Sequence, residues 1–184
     1  MVQTPNVLNL NKCARMIYNL HMYTTPPTTQ SNTIDIMNQD VTHISIGGNC
    51  APRSFLKTKL NLSKQDGYNS CPFDLCITPY EALCKALETD FASFFDDLHM
   101  IAWSNAEGNR SLAGPGLFAI SNTYGITFNH EGGGHSHLFK HGTNDDMFYV
   151  RNDFSEFRKR YENRISNFRT YCKHAQEIVL VHNH

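Results

Sequence analysis

The 184-residue chain is long enough for one domain with a sizeable core, and a 40% hydrophobic content with 12 Phe and 8 Tyr favours a folded globule over a disordered segment. A formal net charge of −1 leaves no basic footprint for nucleic acid or an anionic membrane surface, and no apolar run approaches membrane-spanning length. With no basic region, apolar stretch and cleavage site at its start, we expect a cytoplasmic protein with neither nucleic acid nor membrane as partner.

Residues 1–40 are polar and irregular around Thr24-Thr25-Pro26-Pro27-Thr28-Thr29, a composition that buries too little apolar surface to offset ordering. We expect an N-terminal arm, partly disordered. Its short amphipathic stretch (Leu8, Cys13, Met16, Ile17, Leu20) is the segment expected to meet the domain or a protein partner. The domain is expected over 41–184. It begins with an apolar run, Thr42 to Ile46, that breaks at Gly47-Gly48 and delivers Asn49-Cys50. Ala51 to Leu60 is then expected to be helical, because Pro52 is tolerated in a first turn where backbone donors lack partners. Cys50 would sit at the helix N-terminus, where the unpaired N–H groups and the dipole favour the thiolate. The structural alternative is a buried core cysteine, one of the most buried residue types.

Cys71-Pro72-Phe73-Asp74-Leu75-Cys76 spaces two cysteines as zinc ligand pairs are spaced, but no second Cys pair completes a structural site. The six cysteines (Cys13, Cys50, Cys71, Cys76, Cys84, Cys172) are expected to be reduced thiols. Thr78-Pro79-Tyr80-Glu81 has the form of a capping box and opens a helix with Leu83, Leu87, Phe91, Phe94, Phe95 and Leu98 on one face. Strands are expected at 117–121, 124–128 and 147–150, separated by turn-forming residues. A second box, Asp153 to Glu156, opens a helix that buries Phe154, Phe157, Tyr161, Ile165, Phe168 and Cys172. Its opposite face, with Arg158, Lys159, Arg160, Glu162, Arg164 and Arg169, is expected to be solvated. The continuous run Ile178 to Val181 predicts a strand buried on both faces. The fold class expected is therefore α/β, a single domain with a mixed central sheet flanked by helices; papain-like α+β is the alternative. The chain stops three residues after that strand, which suggests C-terminal truncation or a minimal form of a longer domain.

Four histidines fall between His130 and His141, and imidazole is a common metal ligand. Against a metal site, Gly132-Gly133-Gly134 would disrupt the helix a His-Glu-x-x-His motif needs, and the spacing is wrong by one. We expect a solvated Gly/His loop with no metal and no cofactor; a metal-dependent protein using this cluster is the lesser alternative. His130 differs from its neighbours in ending the alternating run from Tyr124. A strand end holds a general base more rigidly than a glycine loop, so His130 is the preferred partner for Cys50, with an exposed strand-end histidine as the alternative.

Ser45-Ile46-Gly47-Gly48-Asn49-Cys50, then Cys71-Pro72-Phe73-Asp74, then the Tyr-Gly-x-x-Phe-x-His pattern ending at His130 and the Arg-rich helix from Asp153 resemble a family of papain-like cysteine peptidases of unknown function. The resemblance spans Val41 to His182 and implies a thiol hydrolase with Cys50 as nucleophile and His130 as base. Papain-like enzymes usually carry an oxyanion-donating glutamine shortly before the nucleophile, whereas this chain has Ile44, Ser45 and Ile46 there. The Cys50 backbone N–H with the Asn49 amide is the candidate substitute. Asp74 is the candidate third member, orienting the imidazole, although Pro-Phe-Asp equally suits a structural turn. Asn183 competes for that role, and His182 is the reserve base. The alternative function is a non-catalytic binding domain on the same fold.

Overall fold

The computed structural model describes residues 41–102, 104–105, 110–111, 118–131 and 147–182. The arm, the His135–His141 cluster, Cys13 and Asn183 lie outside these residues.

Strand β1 (Val41–Ser45) pairs in parallel with β7 (Glu177–Val181), Ile44 opposite Leu180, and the Ile46 N–H extends the ladder to the Val181 carbonyl at 3.0 Å. Along β7 only Ile178 and Leu180 are buried; Val179 and Val181 are half-buried, so the run is covered mainly on one face rather than on both. Helix α1 (Ala51–Lys59) follows β1 with Pro52 in its first turn, Leu56 fully buried, and Lys57 and Lys59 in the last turn, where cations suit the dipole.

Helix α2 (Tyr80–Glu88) begins where the sequence places it, but no side chain caps it; Thr78 instead packs on Gly47. It ends ten residues before Leu98. The Thr89 N–H returns to Lys85 and the Phe91 N–H to Ala86, while Asp90 (φ 46°) and Phe91 (φ 63°) enter left-handed conformations that stop the helix. Phe91 and Phe94 remain buried because the turns after the helix stay on the same core. Periodicity read through a helix stop therefore named the right core residues on the wrong element.

Strands β2 (His99–Ala102), β5 (Phe118–Ser121) and β6 (Thr127–Phe128) form an antiparallel sheet in the order β2-β5-β6, and β3 (Ser104–Asn105) pairs with β4 (Arg110–Ser111). The architecture is one mixed α/β domain in which parallel and antiparallel pairings occupy separate sheets. Residues expected as a strand at 147–150 form a helical turn, α3 (Phe148–Arg151), closed by the Arg151 N–H on the Met147 carbonyl at 2.8 Å. Four residues are too few for periodicity to separate strand from helix. Helix α4 (Ser155–His174) starts after Asp153 and Phe154, both at positive φ, with no side-chain cap; the Phe154 N–H bonds to the Tyr149 carbonyl at 2.7 Å. The expected capping box is thus replaced by a backbone turn. α4 buries Phe157, Tyr161, Ile165, Phe168 and Tyr171, with Cys172 only half-buried.

Aromatic rings tie these elements together. Phe128 of β6 meets Phe157 and Tyr161 of α4, both at 4.8 Å between centroids, and Phe94 touches Phe128 and Tyr161 at 5.6 and 5.9 Å. Such pairs add about 0.5–1.5 kcal/mol each beyond area burial. Their consequence for the site is that β6 cannot move without disturbing α4.

Candidate active site

Two segments far apart in the chain meet at Cys50. The first is the turn after β1. Gly47 adopts φ +89° and Gly48 φ +84°, and a Cβ on Gly47 would lie 2.6 Å from Thr78 Oγ1 and 2.7 Å from Thr78 Cβ. Glycine is required at position 47 twice over, by conformation and by space. Past this turn Cys50 forms the N-cap of α1, its carbonyl accepting the Ser54 N–H at 3.1 Å.

The second segment is the turn after β6. Ile77, beside Thr78, exchanges two 2.9 Å backbone hydrogen bonds with Thr127, so the residue that packs on Gly47 is joined to β6 through its chain neighbour. His130 lies in the turn two residues beyond β6 rather than ending the strand as its alternation suggested. The turn closes with the Glu131 N–H on the Phe128 carbonyl at 3.1 Å. These constraints bring Cys50 Sγ to 2.9 Å from His130 Nε2, across 80 positions of sequence.

Glu131 anchors the turn from the far side. Its carboxylate is 2% exposed and accepts the Tyr149 hydroxyl at 2.9 Å and Arg160 Nη1, while Arg164 Nη2 stands 3.6 Å away. The face of α4 expected to be solvated thus supplies two arginines to a buried carboxylate, and Arg169 bonds to Asp90. Burial works against the charge of Arg160 and Arg164, but Glu131 and the neighbouring tyrosines outweigh it and hold both guanidinium groups above their ordinary range. Sequence gave no sign of this network beyond a carboxylate following His130.

Half-burial pushes the Cys50 thiol up, and the Asn129 amide, whose Nδ2 lies 3.8 Å from Sγ, pulls in the opposite direction. The N-terminal dipole of α1 acts with the amide. Asn129 is 7% exposed, and its Oδ1 has no hydrogen-bond partner among the described residues. It escaped sequence reasoning; its position next to His130 is the only signal that could have found it. Burial pushes the thiols of Cys71 and Cys76 far higher, and Cys76 donates to the Pro72 carbonyl at 3.2 Å.

Asp74 joins a different network. Its carboxylate accepts the Cys71 N–H at 3.0 Å and the Tyr68 hydroxyl at 3.2 Å, its own N–H returns to the Cys71 carbonyl at 3.2 Å, and Arg53 Nε stands 3.7 Å away. None of these bonds goes to His130. Burial raises Asp74 to about 6 despite the Cys71 N–H and Arg53, which both pull it down. Arg53 in turn lies over the Tyr68 ring at 4.0 Å and donates to the Leu62 carbonyl at 2.7 Å, clamping α1 to this turn. Asn49 is exposed, and its Oδ1 accepts the Ala51 N–H at 2.7 Å, which uses the side chain as a local cap. His182 follows β7 and is half-buried.

The family model described as "Putative papain-like cysteine peptidase (DUF1796)" matches residues 41–183. The protein belongs to this family. No curated protein and no solved structure matches the chain. The match covers both segments that converge on the thiol, so the Cys50–His130 pair lies within the matched region. Among the described residues no group of three or more His, Cys, Asp or Glu side chains is arranged to hold a metal ion, and no helix is long and apolar enough to cross a membrane.

Proposed function

We propose that the protein is a thiol-dependent hydrolase or acyl-transfer enzyme with Cys50 as nucleophile and His130 as general base. The observation that carries this reading is the 2.9 Å contact between Cys50 Sγ and His130 Nε2 at the head of a helix. A base must be within hydrogen-bond reach of the proton it removes, and this distance meets that requirement.

His130 takes the thiol proton as Sγ attacks the carbonyl carbon of an amide or thioester. The tetrahedral intermediate collapses, the carbon–nitrogen or carbon–sulfur bond breaks, and the imidazolium returns its proton to the leaving group. Water or another acceptor, deprotonated by His130, then releases the acyl group from sulfur. The Asn129 amide and the Cys50 N–H are the donors proposed for the developing oxyanion, since that role needs only preorganised N–H groups near the charge. Asn129 replaces Asn49 here because its Nδ2 donor lies 3.8 Å from the attacking sulfur. Asp74 is proposed as a structural residue of the 71–74 turn.

Iodoacetamide labelling tests the pair. Cys50 should react faster near neutral pH than Cys84 and Cys172, which are likewise half-buried, and His130→Ala should abolish the difference. Equal rates at all three sites, unchanged by His130→Ala, would remove the dyad and leave a non-catalytic binding domain as the reading.

A further inference from the structure

Beside the thiol–imidazole pair lies a cleft of 630 Å³ with His130 and Glu131 on one side, the 64–70 segment on another, and Arg160, Asn163, Arg164 and Asn167 of α4 on the third. His130 belongs both to the contact with Cys50 and to this lining. Cys50 does not line it, so whatever fills the cleft meets the imidazole that in turn contacts the thiol.

The lining is rich in donors. Lys64, Arg160 and Arg164 bring three cations; among the described residues the only lining carboxylate is Glu131, which is 2% exposed and already shared between the two arginines. Lys64 is exposed and makes no ion pair among the described residues. Arg160 gives Nη1 to Glu131 but keeps 23% of its side chain exposed, and a guanidinium has five donors. Asn167 Nδ2 donates to the Ser70 carbonyl at 2.9 Å, which fixes the distance between two walls. Among the described residues, a chain of net charge −1 thus gathers more positive than negative charge around the cleft that His130 lines.

We propose that this cleft binds an oxyanion group of the substrate, a carboxylate or a phosphate close to the bond being cleaved, with Lys64 and Arg160 as its charged contacts and Asn163 at its rim. The inference rests on Cys50 being the group that reacts, and it adds the substrate class to that reading. Planar guanidinium and amide groups match oxyanions in geometry as well as in charge.

Paired alkylating reagents test it on the full chain. Iodoacetate and iodoacetamide react alike: the thiolate forms an S–C bond, the C–I bond breaks and iodide leaves. They differ in that only iodoacetate carries a carboxylate. The rate ratio of iodoacetate to iodoacetamide at Cys50, read by peptide mass mapping, should exceed the same ratio at Cys84 and Cys172 by about tenfold at low ionic strength. Lys64→Gln and Asn163→Asp, both at exposed positions, should each lower the Cys50 ratio severalfold, and added salt should lower it too. Protection of Cys50 by succinate at lower concentration than by inorganic phosphate identifies a carboxylate; the reverse order identifies a phosphate. A Cys50 ratio equal to that of the reference cysteines, a ratio insensitive to both substitutions, or protection by neither anion overturns the proposal. A slow Cys50 in both reagents would count against the nucleophile reading instead, because the ratio is still measurable for a slow thiol.

Discussion

Replacing Gly47 with alanine should separate the two halves of the site. Position 47 has φ +89°, and a left-handed conformation costs a residue with a Cβ about 1–2 kcal/mol. The added methyl would also lie 2.6 Å from Thr78 Oγ1 and 2.7 Å from Thr78 Cβ, and overpacking of this kind costs about 1–3 kcal/mol. The expected loss is about 2–5 kcal/mol against a total domain stability of about 5–15 kcal/mol. Urea unfolding at constant m-value measures it, and iodoacetamide labelling of Cys50 reports whether the thiol leaves His130. The two short contacts make a finer distinction. Thr78→Ala removes Oγ1 but leaves Cβ in place, so Gly47→Ala/Thr78→Ala should recover little. Thr78→Gly removes both and should restore the steric part, leaving the conformational cost, in a double-mutant cycle. A Gly47→Ala protein within about 0.5 kcal/mol of the parent, or equal rescue by the two Thr78 variants, would refute the reasoning.

Glu131→Gln should destabilise the protein by about 3–5 kcal/mol, because Arg160 and Arg164 lose their shared counter-charge in a site the carboxylate leaves only 2% exposed; denaturant unfolding reads this, and a loss under 1 kcal/mol would show that solvent reaches the arginines. Asp74 sits at about 6 against an ordinary 3.8, so the stability from its protonated form is complete below pH 4 and lost as pH rises through 6. Asp74→Asn cannot ionise and should therefore gain on the parent by up to about 3 kcal/mol between pH 4 and 7; parallel stability curves over that window would contradict it. Asn129→Ala removes the amide that lowers the Cys50 thiol while leaving the burial that raises it, so the inflection of the alkylation rate should move to higher pH. An unmoved or lowered inflection would show that Asn129 does not act on the sulfur.

Some features of this protein were legible because they are local. An apolar run ended by two glycines determined β1 and its turn, Pro52 in a first turn determined the start of α1, and sustained 3.6-residue periodicity determined the buried stripe of α4. Motif order over 41–183 carried the family. Motif order apart, each signal lies within about 20 residues of chain, where steric and hydrogen-bonding preferences act without help from distant segments.

What the tertiary structure decided lies between segments. Thr78 had the sequence of a cap, yet its side chain fills the space beside Gly47 and makes no capping bond. Asp74 and Glu131 are both carboxylates near motif residues, and only folding assigned the first to Cys71 and Tyr68 and the second to Tyr149, Arg160 and Arg164. The Arg-rich face of α4 looked solvated because charge pattern along one helix carries no information about a carboxylate 29 residues earlier. The approach of Cys50 to His130 depends on the chain Gly47, Thr78, Ile77, Thr127 and on the aromatic packing of Phe128 against α4. A contact spanning 80 residues is fixed by how the core closes, and that closure is a property of all the packed side chains together rather than of either segment alone.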